Sequence, residues 1–571
     1  MKKVIYFIAL CFALSIVSCD SDLLNKTPKD AISEPDFWKT ANDLKLYANG
    51  FYNDLPSWGS YGMGFAVNPD INSDVCLYNS ASNRLMGNAD VPTGSSNSVW
   101  GFKYIRKANY FLANIDKAEG LDTELNQYKG EGYFFRAYYY FILLEKYGDL
   151  PIIDKYIDNT DTDYLYAARD PRNEVMDFIL ADLNQAIAKL KSKSELNTTT
   201  RLSKQVAQLF KARVALYEGT WEKYHAGTAF GVDGSDGSAY IQIAADAAKD
   251  VMDSQEFSLN PEYGNMFNQT NLKGNPEVML WSQDDYVTYG KSYGNQAQEW
   301  PNRSGYTRFA VRSYLCTDGL PISVSPNYVG DKSLTTIEQN RDPRLAETIM
   351  VPGDDLVIAL DGTVTPFEGP VLTSNNSCVT GYESEKYRIA QLDASTGDIS
   401  SNLAKVIMRY GEALLIYAEA KAELGTITQT DLDESINLLR DRVQMPHLVK
   451  DAIVTDPDWP DYGYDLTPVL YEIRRERCVE LMGEGFRFDD LMRWRAHKLF
   501  VGKNPKGAYY ETLLQNISSG LDVDTDNYLD PFFAALGTDG YQFDPNRDYL
   551  NALPSDELFL NENLVQNPGW D

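Results

Sequence analysis

Histidine is nearly absent: only His225, His447 and His497 occur among 571 residues, and none has neighbours that suggest a metal ligand set. That argues against a zinc site or a histidine-based catalytic centre. Cysteine is scarce too. Cys76, Cys316, Cys378 and Cys478 lie far apart with no CxxC or metal spacing, so free buried thiols are the first reading and a disulfide the rival. Positive charge is short, with 52 Lys and Arg against 82 Asp and Glu and a net charge of −30. Such a chain is repelled by nucleic acid phosphates, which excludes binding by counterion release. It is repelled by anionic lipid as well, so no basic patch fixes it to a membrane. Nor is there an apolar run of the roughly 20 residues that a spanning helix needs.

The one marked apolar run is at the start. Lys2 and Lys3 precede Val4 to Val17, which is the pattern of a secretory signal peptide. It ends in Ile16-Val17-Ser18-Cys19, which resembles the bacterial lipobox, where the cysteine is acylated and becomes the new N-terminus. On that reading residues 1–18 are a signal peptide and 19–35 a lipidated Cys19 with a polar tether. Removing Lys2 and Lys3 takes the net charge from −30 to −32. Two or more acyl chains hold a protein stably where one does not. The plainer alternative is a cleaved leader with an incidental Cys19.

Beyond the leader, 43% hydrophobic residues supply a substantial core. Helical patterns cover 100–118, 125–147, 173–190, 203–219 and 240–253, within an N-terminal region of 36–255. Tyr133 to Leu144 is apolar nearly all round except Arg136, as in a buried central helix. Ser203 is the expected N-cap of its helix and Gly219 the expected stop. From 256 to 400 the chain is rich in Gly, Pro, Asn, Ser and Asp, with short strand-like runs at Val278–Trp281 and Leu356–Ile358. Loops of that length commonly serve function. Helical spacing returns at 404–425, where Val406, Tyr410, Ala413, Tyr417, Ala420 and Leu424 make one stripe that Gly425 ends. A partner follows at 431–443, and Thr467-Pro468 opens another helix. Paired helices of this length suggest degenerate tetratricopeptide-like hairpins.

Five segments are more specific. They are Arg136-Ala137 leading to Tyr147-Gly148-Asp149-Leu150-Pro151; Ala212-Arg213 through Gly219-Thr220-Trp221; and Arg409-Tyr410-Gly411-Glu412 through Ala420. The fourth runs Ile473-Arg474-Arg475-Glu476-Arg477, Glu484-Gly485-Phe486-Arg487, Asp489-Asp490-Leu491 and Arg493-Trp494; the fifth is Leu553-Pro554-Ser555-Asp556-Glu557-Leu558 with Asn567-Pro568-Gly569-Trp570. With the lipobox, this set resembles the SusD/RagB family of Bacteroidetes outer-membrane nutrient-binding lipoproteins, along nearly the whole chain and least in its middle. The resemblance implies an all-α scaffold of tetratricopeptide-like hairpins, with 256–571 as a C-terminal region that includes the ligand loops. It also implies capture of a glycan or oligosaccharide for a SusC-like TonB-dependent transporter at the cell outer membrane, with no catalysis and no cofactor. Asp20 and Asp22 fit the acidic sorting signal associated with surface export in these bacteria.

The charged residues of the third and fourth segments read as scaffold. Arg409 and Glu412 are three apart, as are Arg477 and Glu480, so each pair can meet on a helix face. Arg487 and Arg493 suit bidentate bonds that pin helix to helix. Ligand contacts belong in the loops. Tyr286, Tyr289, Tyr293 and Trp300 stand among Gly and hydrogen-bonding residues, between Trp281 and Tyr306. Such amphipathic rings suit a pyranose face. A second loop, 70–98, offers Asp74, Tyr78 and Arg84, and the resemblance points to comparable loops. Asp522-x-Asp524-x-Asp526 starts like a calcium loop, but Asn527 and Phe533 break the pattern. Two other functions stay open: a peptide-binding or structural lid on a transporter, and a lipid-anchored glycosidase, whose paired carboxylates sequence does not reveal.

Overall fold

The computed structural model describes residues 37–570 apart from 58–68, 96–98, 159, 284–303, 371, 373–377, 393–402 and 511–521. Its framework is helical. Helix α1 (Ala41–Asn49) starts in a capping box, with Thr40 N–H donating to Asp43 at 2.8 Å. It packs on α3 (Asp122–Tyr147), as does α2 (Lys103–Asn114). Helix α3 is the buried central element that the apolar pattern predicts. Its Arg136 is also inside, gripping Asp182 on α4 (Arg172–Lys189) at 2.7 and 2.8 Å.

Helix α5 (Lys204–His225) begins at Ser203, whose hydroxyl accepts from Val206 N–H at 3.3 Å. It does not stop at Gly219. A Cβ there would lie 2.7 Å from the Ile241 amide and 2.8 Å from the Gly237 carbonyl, so this glycine lets α6 (Ser238–Asp253) lie against α5. Neighbour packs on neighbour: α3 on α4, α4 on α5, α5 on α6.

Among the described residues three two-stranded ladders complete the frame: β1 (Cys76–Leu77) with β3 (Gly305–Tyr306), β2 (Val278–Ser282) with β6 (Lys405–Arg409), and β4 (Asp355–Ile358) with β5 (Val364–Pro366), all antiparallel. The helix expected from 404 therefore starts later. Val406 pairs with Trp281 in the β2–β6 ladder, and the helix after α7 (Arg308–Ser313), α8, runs Tyr410–Glu423. Spacings of three and four continue across the strand by coincidence of one residue. Gly425 ends the segment at φ +70°. Next come α9 (Ile436–Arg442) and α10 (Pro468–Glu480), the latter capped by Thr467 with Pro468 in its first turn. Helices α11 (Arg487–Arg493) and α12 (Ser555–Leu560) follow.

One large apolar core runs from Trp38 to Leu553, with smaller ones around Tyr306 and Tyr314 and around Tyr263 and Trp281. Between them lies a buried web of charge. Arg409 donates to Glu277 and Glu480 at 2.8 and 2.7 Å, and to both oxygens of Glu484 at 2.8 Å. Arg442 and Arg344 also bind Glu480. The neighbours expected three residues apart do not pair. Glu412 instead takes Arg213 at 2.6 and 2.7 Å, and Arg477 takes Asp490 at 2.8 Å. Buried side chains reach for partners on other elements, whereas spacing along one helix describes only its own face. Both arginines bond bidentately, but only one joins two helices: Arg493 grips Glu419 on α8 at 2.6 and 2.8 Å, whereas Arg487 grips Asp74 in the loop before β1 at 2.7 Å twice. Cys76, Cys316, Cys378 and Cys478 are free and buried. Among the described residues no helix is long and apolar enough to cross a membrane.

Candidate functional site

The β1–β3 ladder joins the two loops in which ligand contacts are expected. Leu77 pairs with Gly305 and Cys76 with Tyr306, so residue 78, entering the first loop, stands opposite residue 304, leaving the second. The ribbon lies close against 378–380 because Gly305 has no side chain. A Cβ there would fall 2.2 Å from Thr380 Oγ1 and 2.7 Å from Cys378 Sγ. Tyr306 N–H donates to the Tyr382 carbonyl at 3.0 Å, which fastens the ribbon to 380–382.

The turn before β1 is held by carboxylates. Asp70 is buried and accepts from the Gly483 and Arg487 amides at 2.7 and 3.0 Å. Burial pushes its carboxyl up to about 6, although those two amides favour the anion. Asp74 is bound through both oxygens to Arg487. Burial works against the Arg487 cation, but Asp74 more than compensates and keeps it protonated.

Of the candidates in 70–98, Tyr78 is partly exposed at the end of the ribbon. Arg84 points inward: Nε donates to the Asp548 carbonyl at 2.6 Å, Nη1 to Asn551 at 3.2 Å, and the guanidinium stands 5.2 Å from the Phe488 ring centre. Backbone bonds from Gln542 to Leu85 and from Ser555 to Pro92, both 3.0 Å, continue that seam. Arg84 and Asp74 thus brace the base of this face. Tyr286, Tyr289, Tyr293 and Trp300 lie outside the described residues, as does Cys19. Trp281 is a core residue, its indole N–H donating to Thr199 at 3.0 Å.

Among the described residues no three His, Cys, Asp or Glu side chains are grouped to hold a metal ion. His225 stacks on Trp221 at 4.1 Å, and burial pushes its pKa down to about 3. In the apparent calcium loop, Asp524 accepts from the Asp526 and Tyr528 amides at 3.0 and 2.9 Å, an ordinary turn contact. Sequence reasoning missed the partners that Arg409 gathers, Glu277 above all, because they are distant in the chain. It also missed a cleft around Trp459, whose only signal is a tryptophan between prolines in Pro457-Asp458-Trp459-Pro460.

Comparison with known proteins agrees with this architecture. Residues 240–570 match the model of the SusD family, and residues 60–216 match a model described as starch-binding associating with outer membrane. Two SusD-like proteins of Formosa agariphila, P2 and P38, are 25% and 26% identical to this chain; the alignments cover 100% of both chains for P2, and 86% of this chain and 91% of the relative for P38. A SusD-like carbohydrate binding protein of Bacteroides fragilis superposes with a TM-score of 0.70 at 22% identity, covering 93% of this chain and 100% of the other. Another SusD-like protein of that species gives 0.71 at 22% identity, covering 95% and 100%. These structures show the fold. The chain belongs to the SusD/RagB family, because the family model spans more than half of it.

Proposed function

We propose that this SusD/RagB protein is a cell-surface glycan receptor, held by a lipid on Cys19, that hands oligosaccharide to a SusC-like TonB-dependent transporter. The observation that carries this reading is the β1–β3 ladder, with Tyr78 and Ser304 at one end of a fixed ribbon. Loops that begin side by side on a rigid base can present their side chains to one ligand, which lowers the ordering cost of binding. The proposed contacts are Tyr78, Tyr286, Tyr289, Tyr293 and Trp300, with Asp74 and Arg84 bracing them. Membership of the family supports the outer-membrane setting and the transporter partner. The acidic surface leaves attachment to the lipid, since charge repels anionic headgroups.

A glycan array followed by calorimetry tests the ligand class. A folded Tyr289/Tyr293/Trp300 triple alanine variant is expected to lose binding, because a central aromatic anchor commonly contributes ~2 kcal/mol or more, roughly thirtyfold in affinity. Unchanged affinity in that variant moves the site elsewhere. Release of new reducing ends from the bound glycan would make the protein a glycosidase instead. Cys19→Ala should release the folded protein from membranes; retention after a high-salt wash would refute the anchor.

A further inference from the structure

The ribbon has a second end. There Thr307 N–H donates to the Val75 carbonyl at 2.9 Å and the Thr307 hydroxyl to the Asp74 carbonyl at 2.6 Å. Asp74 and Tyr78 stand on either side of the two-residue strand Cys76–Leu77, at its two ends. Beside Asp74 and Thr307 opens a cavity of about 410 Å³, adjoining another of about 370 Å³. Phe309, Arg312, Asp458, Trp459 and Pro460 line both, so the two make one cleft.

Trp459 is fixed in that cleft. Its indole N–H donates to Glu472 at 2.9 Å, and its ring stacks on Tyr471 at 4.6 Å with 5° between planes. Both partners belong to α10. The loop carrying it is tied down at Asp456, which accepts from the Asp458 amide at 2.8 Å and the Ser323 hydroxyl at 2.5 Å. The ring stays partly exposed between the two cavities, a flat apolar surface whose orientation is set in advance.

Around this platform cations gather, although most are paired. Seven basic side chains line the cleft, and Arg474, Arg475, Arg487 and Lys506 among them are matched by Glu423, Asp456, Asp74 and Asp530. One buried carboxylate, Asp331, serves two guanidiniums, with Arg308 at 2.7 Å and Arg312 at 3.7 Å, and also takes the Tyr528 hydroxyl at 2.6 Å. The other partner of Arg312 is Asp458 at 3.0 Å, a surface group. Lys503 is exposed and, among the described residues, bonds only the carbonyls of Lys498 and Leu499, at 2.9 and 3.3 Å. Arg312 is 32% exposed, and the nearer of its two carboxylates, Asp458, is a surface group that a ligand anion can displace; beside a fixed aromatic face this guanidinium suits a sugar ring with an anionic substituent, the ring on Trp459 and the anion on Arg312.

We infer that the Trp459 cleft is a second carbohydrate site, separate from the Tyr78 end of the ribbon, that selects sugars bearing a carboxylate or a sulfate ester. The inference rests on the reading of the protein as a glycan receptor and adds to it a site and a ligand charge.

Calorimetry on the purified full-length protein tests it with tetragalacturonate, a sulfated carrageenan tetrasaccharide and neutral cellotetraose as probes. Wild type is expected to bind at least one anionic probe, and which one binds assigns the anion. Trp459→Ala should weaken that binding roughly thirtyfold by loss of an anchoring ring, and Arg312→Gln about tenfold by loss of a charge-assisted bond. Trp459→Phe should retain most of it. Should Trp459→Ala melt early, Arg312→Gln and Trp459→Phe decide. Undiminished anionic binding in folded Trp459→Ala or Arg312→Gln overturns the cleft site and leaves the loop face standing. So does a wild type that binds only neutral glycans. A wild type that binds no saccharide on a wider array overturns the receptor reading as well.

Discussion

Arg409 offers the clearest quantitative test of how this scaffold is held. Its side chain is 1% exposed and meets three buried glutamates and the Glu480 carbonyl. Arg409→Met keeps the length and removes the charge. Glu480 retains Arg442 and Arg344, but among the described residues Glu484 keeps only the Lys386 cation at 2.8 Å, and Glu277 keeps Arg442 at 3.2 Å. Leaving buried charge under-compensated costs about 3–5 kcal/mol. Urea unfolding at pH 7 should therefore show a lower midpoint at unchanged slope. Lys249→Met is the control. Its partners Asp253 and Glu434 are 64% and 48% exposed, and surface pairs contribute at most about 1 kcal/mol.

The same variant predicts a pH dependence whose sign follows from the glutamates. Burial alone would raise Glu480 and Glu484, but the surrounding cations hold both below the usual carboxylate range. Groups depressed in the folded state contribute stability that is present above the unfolded value of ~4.3 and is lost as pH falls through the folded one. In Arg409→Met the stranded carboxylates take up protons sooner, so the gap from wild type should be widest near neutrality and narrow in acid. An Arg409→Met protein no less stable than Lys249→Met, or a gap that widens below pH 4, would refute the network as a source of stability.

Tyr410→Ala should cost about 3–5 kcal/mol, because the ring is buried on α8; Tyr289→Ala should leave the melting temperature unchanged, and equal melting of Tyr410→Ala and wild type would contradict the core assignment. Gly219→Ala forces a methyl against the α6 backbone and should destabilise by about 1–3 kcal/mol, visible as a lower urea midpoint. Burial, aided by Asp354, Glu385 and Glu347, pushes Glu338 up to about 7. The folded state then binds the extra proton, so this group's contribution to stability falls as pH rises from 5 to 8; Glu338→Gln should flatten that slope in melting curves taken across the range.

What was legible in the sequence is what one element decides alone. Ser203 and Thr467 cap helices because a hydroxyl reaches an amide three residues on, and Gly425 ends one because it reaches positive φ. What was illegible depends on a second element. Gly219 reads as a stop until α6 is seen against it. Val406 reads as helix until β2 is seen to pair with it. Arg409 and Glu412 read as a local pair until Glu277 and Arg213 are seen to claim them.

The candidate face follows the same logic with a functional turn. Asp74 and Arg84 attracted attention as polar loop residues, the type that contacts ligands, yet both lie where loop meets scaffold. Arg487 takes the first and the carbonyl of Asp548 the second, so each fixes where a loop begins. A charged residue at a loop's root finds protein partners close by, whereas one nearer the tip has fewer. Trp459 shows the converse. It carries no helical period, and Tyr462 and Tyr464 close by in sequence do not mark it out, so nothing local distinguishes it from a packing tryptophan. Only the approach of α10 beneath it and α7 beside it gives the ring one supported face and sets Arg312 next to it. Both proposed binding surfaces lie where two scaffold elements converge under one loop, and such convergence is a property of the packing, which spacing along the chain does not record.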